Sequence, residues 1–194
     1  MSYIREGTLD ETNYPLFAEV KKRFGFIPNL YRAQTMRPDL IEASAQLVHA
    51  VLIKENALPR KQKEYIFLVC SAANLSTYCV TAHCEIIRML GIEGPEPEQI
   101  AVDYTATNLP VTIKALLNFA TKLSSEPTKI SRADVDTLRT YGYTDEQIHE
   151  TVVLVALAKY ANFVAFGLGT VPDFDSSRIK FPVEAEVGTA SSVL

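Results

Sequence analysis

The sequence predicts an all-helical protein, and three features of its residue pattern indicate this fold class. Apolar residues recur at helical spacing in several long segments, as at Leu40, Ala43 and Leu47. The 8 glycines and 10 prolines lie almost entirely between these segments, where they end helices without interrupting an apolar run. No segment alternates apolar and polar residues cleanly, and only residues 179–183 resemble a short extended piece.

Proline and glycine mark the helix ends in the first half of the chain. Pro38 and Pro59 each stand in the first turn of a predicted long helix, where the missing N–H of proline costs nothing. Gly25 and Gly91 each follow a predicted helix as its C-terminal cap. The helices predicted in this half cover residues 13–24, a short piece opened by residues 26–31, and residues 38–54, 59–73 and 76–90.

Capping boxes mark the helix starts in the second half. Ser131 with Asp134 begins one helix, and Thr144 with Gln147 begins a long one, because in each pair the later side chain reaches back to the backbone N–H of the cap. The helices predicted in this half are a short one after residue 97, one over 110–123, one from residue 131 and one from residue 144 to about 167.

Length and composition indicate one domain with an ordinary core. The chain has 194 residues, of which 47% are apolar and 22% are charged. We predict a single helical domain over residues 1–170 and an irregular tail over 171–194, which packs along the surface or reaches a neighbouring subunit. The net charge is −4 and basic residues form no stripe, which argues against nucleic acid and anionic membranes as partners.

The most apolar window, residues 151–169, predicts a buried helix and not a membrane span, because Lys159 and Asn162 interrupt it. The N-terminal residues lack the apolar core and cleavage site of a signal peptide. Three cysteines are too few, and odd in number, for the disulfide framework of a small secreted domain. These features together predict a cytoplasmic protein with free thiols.

The predicted helix over residues 76–90 is apolar around much of its circumference. A monomer of this size does not readily cover such a helix on all sides. The apolar residues concerned are Val80, Ala82, Ile86, Ile87, Met89 and Leu90. We therefore predict a homo-oligomer, a dimer or larger.

Cys79 and His83 carry the clearest chemistry. They are four residues apart, so on a helix both side chains lie on one face, and a thiol beside an imidazole is the arrangement of an activated nucleophile. With Ser76 as the N-cap, Cys79 is the third helical residue, where the helix dipole lowers the pKa of the thiol. Cys70 and Cys84 have neither feature.

Glu64 lies in a helix whose following residues are almost wholly apolar, so its carboxylate needs a partner or a perturbed pKa. If the chain folds back at residues 74–77, Glu64 lies about 15 Å before the turn and His83 about 10 Å after it, from the helical rise. Direct contact or one bridging water then joins them. Glu64, His83 and Cys79 would form a proton relay.

Each of these residues also has a purely structural interpretation. Cys79 and His83 form a buried pair in one alternative, and Glu64 forms an ion pair with a Lys or Arg of another helix in another. Ser76 serves only as an N-cap, and Tyr78 packs without contacting substrate. Cys79 and His83 provide two ligands without a second close pair, so no metal site is predicted.

The spacing of Glu64, Cys79 and His83 resembles that of a known family. Fourteen residues separate Glu64 from Cys79 and three separate Cys79 from His83, framed by Asn74 and the Tyr78 to His83 stretch. This pattern resembles the alkylhydroperoxidase D-like (AhpD-like) group of the carboxymuconolactone decarboxylase superfamily, and within it the branch named peroxidase-related. Similar stretches also occur over residues 25–31 and 160–163, so the resemblance spans most of residues 20–170.

The resemblance implies an oligomeric helical bundle with a central antiparallel helix pair, and reduction of a small hydroperoxide without a cofactor. In the family pattern the second Cys of a Cys-x-x-Cys pair is peroxidatic and the first resolves it. Here Cys79 takes the peroxidatic position and Ser76 the resolving one. An oxidised Cys79 would therefore need an external thiol, from a small molecule or a redox protein, or a rearranged Cys84.

The leading hypothesis is a thiol-dependent oxidoreductase in which Cys79 attacks a hydroperoxide, His83 takes the thiol proton and Glu64 orients His83. One alternative is a lyase of the carboxymuconolactone decarboxylase type, in which Glu64 and His83 transfer protons and Cys79 is incidental. The other is a catalytically weak helical oligomer. Tyr78 is assigned to shaping the site.

Overall fold

Helix is the only regular secondary structure in the residues that the structure, a computed structural model, describes: 2–8 and 15–177. The helices are α1 (Pro15–Phe24), α2 (Asn29–Arg32), α3 (Pro38–Val48), α4 (Arg60–Ala73), α5 (Thr77–Met89), α6 (Pro97–Asp103), α7 (Val111–Ser125), α8 (Arg132–Thr140) and α9 (Asp145–Gly167). The all-helical prediction is confirmed for this part of the chain. The extended piece predicted at 179–183 lies outside the described residues.

The local signals place most helix ends within a few residues of their predicted positions. Thr144 and Gln147 form the predicted capping box, with the Thr144 N–H donating to Gln147 Oε1 at 3.0 Å. The helix predicted over 38–54 differs, because its regular part ends at Val48 and a wider π-helical turn follows over His49–Ile53. Pro59 precedes α4 as its cap residue.

A buried lysine holds that wide turn in place. Lys63 Nζ donates to the carbonyl oxygens of Val51 at 2.9 Å and Lys54 at 2.7 Å, and it pairs with Glu150 Oε1 at 2.5 Å. The other carboxylate oxygen of Glu150 accepts the Leu58 N–H at 2.7 Å. An ammonium group at the end of a helix satisfies carbonyls that otherwise lack partners. Nothing in the local sequence pattern predicts this cluster.

Helix α4 lies at the centre of the core. It packs against α5, α6, α7 and α9, and every residue from Lys63 to Ala72 is buried. Apolar contacts surround most of its circumference, which explains why its sequence lacks a clear polar stripe. A carboxylate on this helix, such as that of Glu64, is therefore removed from solvent.

Within the described residues, α9 is the one helix that is long and apolar enough by length and composition to cross a membrane. Core helices pass the same test. Leu154, Ala158 and Asn162 on α9 are buried within the molecule, where the helix packs against α4, α5 and α7. This packing agrees with the predicted buried helix.

The chain after α9 turns back across the N-terminal part of the molecule. Asp173 accepts the backbone N–H of Asn29 at 3.0 Å, and the Phe174 ring packs 5.8 Å from that of Phe26. The described part of the predicted tail, residues 171–177, therefore packs on the surface of its own subunit. The remainder of that tail lies outside the described residues.

Candidate active site

A tight reversal between α4 and α5 builds the site. Leu75 has φ 57°, a left-handed conformation that costs a non-glycine residue on the order of 1–2 kcal/mol. Ser76 follows with φ −79° and ψ 87°, and the Thr77 N–H donates to the Leu75 carbonyl at 3.0 Å, which is an inverse γ-turn. Backbone strain of this kind is concentrated at functional sites. The reversal returns α5 alongside α4.

The reversal brings Glu64 and His83 into direct contact. His83 Nδ1 lies 2.7 Å from Glu64 Oε2, so the predicted contact between these residues is present in the structure. Glu64 is wholly buried. Burial acts to raise the pKa of its carboxyl, but His83 and Arg60 outweigh burial and the pKa is lowered. The carboxylate therefore stays ionised inside the core.

Arg60 is a partner of Glu64 that sequence reasoning missed. Its Nε and Nη2 atoms lie 2.6 Å and 2.5 Å from Glu64 Oε1. One structural interpretation of the sequence is an ion pair of Glu64 with a Lys or Arg of another helix, whereas Arg60 lies one turn earlier on the same helix. The four-residue spacing between an arginine and a glutamate is the signal that would have identified it.

The imidazole of His83 is held on two sides. Glu64 fixes one ring nitrogen, and the Phe67 ring stacks against the imidazole at 3.9 Å between centroids. The side chain is nevertheless in contact with a cavity, which it lines together with Cys79. His83 is therefore an oriented imidazole facing a space in which a small molecule can bind.

Cys79 has a different environment from the one predicted. No hydrogen bond joins its sulfur to His83 in the described structure. Burial raises the pKa of the Cys79 thiol, and the nearby side chains of Ser76, Asn162 and Ser71 offset this only in part. The expectation that the helix terminus lowers this pKa is therefore wrong. Cys79 is only 3% exposed, and the cost of removing a thiolate from water outweighs the effect of the helix terminus.

Ser76 occupies the predicted cap position without making the predicted cap bond. Its side chain forms no hydrogen bond to the first turn of α5, and Oγ is buried without a hydrogen-bond partner among the described residues. The inverse γ-turn explains the difference, since a capping side chain needs an extended backbone at that residue. Ser76 is instead a buried hydroxyl beside the Cys79 thiol.

Cys70 and Cys84 do not share the position of Cys79. Both are buried free thiols outside the cavity wall, and burial raises the pKa of each to about 12. The Cys70 sulfur lies 3.6 Å from the Ala120 carbonyl oxygen. Of the three thiols, Cys79 alone lines the cavity.

The cavity has a volume of about 530 Å³ and mostly apolar walls. Side chains from α1, α2, α3, α4, α5 and α9 form them, together with the wide turn after α3 and residues 173–174. Arg60, Tyr78, Cys79 and His83 are polar or reactive residues on this wall. A space of this size holds a medium-sized apolar molecule.

Tyr78 shapes the cavity wall. Its hydroxyl donates to Asp173 Oδ2 at 2.6 Å and accepts the Leu30 N–H at 3.1 Å, so it ties α5 to α2 and to the chain after α9. Burial raises the pKa of this phenol, which is therefore neutral. Tyr78 thus acts in the structure through position and not through charge.

His49 also contacts the cavity, from the wide turn after α3. Its side chain is largely exposed, and its sequence neighbours include no thiol or carboxylate at a spacing that would have singled it out. Among the described residues, no group of three or more His, Cys, Asp or Glu side chains is arranged to hold a metal ion.

Solved structures of peroxidase-related proteins share this fold. An uncharacterized one from Ralstonia eutropha JMP134, with an alkylhydroperoxidase AhpD core, has a TM-score of 0.83 and 28% identity, covering 92% of this chain and 95% of its own. Another from Silicibacter sp. TM1040 has a TM-score of 0.79 and 23% identity, covering 86% and 87%. A cysteine-to-alanine variant of the debrominase Bmp8, in complex with 2,3,4-tribromopyrrole, has a TM-score of 0.76 and 20% identity, covering 89% and 94%.

No protein-family model and no curated protein sequence matches the chain. The structural likeness is nevertheless close to full length and includes several separate proteins. In fold, and over 92% of its length, the chain is similar to the AhpD-like, peroxidase-related proteins of the carboxymuconolactone decarboxylase superfamily, in agreement with the resemblance carried by Glu64, Cys79 and His83.

Proposed function

We propose that the protein is a thiol-dependent oxidoreductase that reduces an organic hydroperoxide at Cys79. One observation carries this proposal: Cys79 is the single thiol on the wall of an apolar cavity that also contains an oriented imidazole, His83. This chemistry requires a thiol that can contact the small molecule and an acid–base group next to that thiol. The peroxidase-related fold neighbours support the same reaction class.

The reaction begins when His83, one helical turn from Cys79, accepts the thiol proton. The thiolate attacks the terminal oxygen of the hydroperoxide, the O–O bond breaks, and Cys79 becomes a sulfenic acid. The departing alkoxide takes the proton from His83 and leaves as an alcohol. Glu64 stabilises the protonated imidazole in between, because its carboxylate lies 2.7 Å from the ring nitrogen.

An external thiol completes the cycle in this proposal. It condenses with the sulfenic acid to form a mixed disulfide and water, and a second thiol releases Cys79 and leaves as a disulfide. Ser76 cannot form a disulfide, and Cys84 lies outside the cavity wall. The reductant is therefore a small thiol or a redox protein.

The geometry favours this reaction over the lyase alternative. A lyase that transfers protons through Glu64 needs the carboxylate to meet the substrate. Glu64 does not line the cavity, and its two oxygens are engaged by His83 and Arg60. It is a positioning residue in our proposal.

The fold likeness to a debrominase suggests a second candidate, release of bromide from a brominated aromatic ring at the expense of thiol. The apolar cavity suits such a ring as well as it suits an alkyl hydroperoxide. Bromide release from 2,3,4-tribromopyrrole with a small thiol present, without hydroperoxide consumption in a parallel assay, would favour this candidate.

A brief pulse of an organic hydroperoxide is expected to oxidise Cys79 first. With a sulfenic-acid trap present, peptide mass spectrometry should find the label on Cys79, because this thiol alone lines the cavity. Cys70 and Cys84 in the same sample are internal controls, since both are buried and have a pKa raised to about 12. Label on either of them ahead of Cys79 would overturn the site assignment.

We also propose that the protein assembles as a homo-oligomer in the cytoplasm. Within the monomer Val80 and Ile87 of α5 are buried, whereas Met89 and Leu90 at its C-terminal end are exposed. Exposed apolar side chains form one stripe along the length of α9, at Val152, Ala156, Tyr160, Phe163 and Phe166. A second copy of this chain is the occupant we assign to the stripe. The three free thiols fit a reducing compartment.

Light scattering at micromolar concentration is expected to give a dimer or larger species. Phe166→Glu places a charge on the apolar stripe and should shift the wild-type assembly toward the monomer. Val111→Glu is a matched control, because Val111 is an exposed apolar residue in the first turn of α7, where an acidic side chain is favoured. A monomeric wild type would count against assembly.

We further infer that α4 and α5 form the central antiparallel pair of the bundle. The contact between Glu64 in the first half of α4 and His83 at the middle of α5 supports this arrangement.

A further inference from the structure

A chain of hydrogen-bonded side chains connects Lys159 to the surroundings of Cys79. Lys159 Nζ lies 2.6 Å from Asn74 Oδ1, Asn74 Nδ2 lies 2.8 Å from Asn162 Oδ1, and Asn162 Nδ2 lies 3.0 Å from Ser71 Oγ. Asn162 and Ser71 are both wholly buried. A continuous polar chain of this kind within an apolar core calls for an explanation.

The ammonium group of Lys159 fixes the direction of this chain, because it has donors and no acceptor. Asn74 must turn its amide oxygen toward Lys159 and its NH2 group toward Asn162. Asn162 then presents its own NH2 group to Ser71. The Ser71 oxygen accepts that hydrogen bond, so its hydroxyl hydrogen is left to donate. Every member therefore donates inward, away from the cation.

The Cys79 thiol is near the inner end of this chain, since the side chains of Ser71 and Asn162 both act to lower its pKa against the larger effect of burial. Ser76, the cap residue of α5, supplies a further hydroxyl close to Cys79. Its Oγ atom is in a residue only 1% exposed and has no hydrogen-bond partner in the described structure. A buried hydroxyl without a partner is destabilising, which indicates a role that the resting thiol does not satisfy.

We propose that the hydroxyls of Ser71 and Ser76 donate hydrogen bonds to the Cys79 thiolate. Lys159 is a positioning residue, because it orients the amides that keep Ser71 in its donor role. Ionisation of Cys79 creates the strong acceptor that both hydroxyls lack in the neutral site. This inference rests on the proposed function, which explains why the protein needs a thiolate at Cys79. The thiolate itself can be measured without hydroperoxide.

Alkylation of Cys79 by iodoacetamide tests this inference, with peptide mass spectrometry reporting the rate from about pH 7 to about pH 10. At a given pH below the thiol pKa, Ser76→Ala should lower the rate about tenfold, because a hydrogen bond to a charged group is lost. Lys159→Met should lower the rate severalfold, and both variants should shift the pH profile of the alkylation rate to higher pH. Ser76→Ala should not lower the stability to urea, since the hydroxyl makes no cap bond.

Thr77→Val is the matched control, because it removes a neighbouring hydroxyl outside the proposed donor set. Iodoacetamide should alkylate Cys79 of this variant at the wild-type rate. Alkylation of Cys79 at the wild-type rate in both Ser76→Ala and Lys159→Met would overturn the inference. An unchanged alkylation rate together with a lower urea midpoint in Ser76→Ala would also overturn it, because that combination indicates that Ser76 acts only as a helix cap. Reduced alkylation in both variants, with no oxidation of wild-type Cys79 by hydroperoxide, would uphold the donor set and reject the peroxidase function.

Discussion

Replacing Cys79 with serine is expected to abolish hydroperoxide turnover, by roughly a thousandfold or more, while the helical fold is kept. A serine hydroxyl ionises far less readily than a thiol and its oxygen does not accept an oxygen atom from a peroxide. The exchange is small in volume, so the core around α4 and α5 should remain packed. The initial rate of organic hydroperoxide consumption with a small thiol as reductant measures the loss, and circular dichroism checks the helix content.

Cys84→Ser is the matched control for that variant. Cys84 is as buried as Cys79 but does not line the cavity, so its replacement should leave turnover within about twofold of the wild type. Loss of turnover in Cys84→Ser with retention in Cys79→Ser would contradict the assignment. A lyase would keep its turnover in Cys79→Ser, which separates the two reaction classes.

The rate at which iodoacetamide alkylates wild-type Cys79 should rise with pH. Burial raises the pKa of the Cys79 thiol above its ordinary value of 9.0, so only a small fraction is thiolate near neutral pH. That fraction grows roughly tenfold for each pH unit below the pKa. An alkylation rate that is already flat near neutral pH would contradict the raised pKa of the Cys79 thiol.

The helices could be predicted because the signals that begin and end them are local. The capping box of Thr144 and Gln147 spans only four residues, and each proline acts on its own turn. The wide turn over His49–Ile53 could not be predicted in this way. It depends on Lys63, which is paired with a carboxylate 87 residues further along the chain.

The same distinction applies to the site. The contact between Glu64 and His83 follows from helical rise and one chain reversal, so sequence spacing was enough to predict it. The pKa of Cys79 depends on how completely α4, α5 and α9 together exclude water, which spacing along one helix does not contain. Ser76 is the cap residue, as the sequence predicts. Its hydrogen bonding depends on an inverse γ-turn, which the local sequence does not predict.

Glu64→Leu is expected to destabilise the protein by about 3–5 kcal/mol and to remove hydroperoxide turnover. The leucine leaves the guanidinium of Arg60, whose side chain is only 13% exposed, without its counter-charge, and it releases His83 from its orientation. Urea unfolding measures the first effect and the consumption assay measures the second. Glu42→Leu, at an exposed position on α3, is the control and should change stability by no more than about 0.5 kcal/mol.

Acidification should reduce the stability that Glu64 contributes to the folded protein. The folded-state pKa of Glu64 lies below its ordinary value of 4.5, so the unfolded chain binds the proton more tightly. The stability that Glu64 contributes is present above about pH 4.5 and is lost as the pH falls through the folded-state pKa. The difference in stability between wild type and Glu64→Leu should therefore shrink on acidification, and a difference that grows would contradict the lowered pKa.

The double variant Arg60→Met with Glu64→Leu separates the structural role of Glu64 from its role in positioning His83. Removing both charges replaces a buried ion pair with apolar side chains of similar length, which should recover part of the lost stability. Turnover should not recover, because His83 still lacks the carboxylate that orients it and stabilises its protonated form. Recovery of both stability and turnover in the double variant would show that Glu64 serves only to neutralise Arg60, and that His83 needs no partner for the chemistry at Cys79.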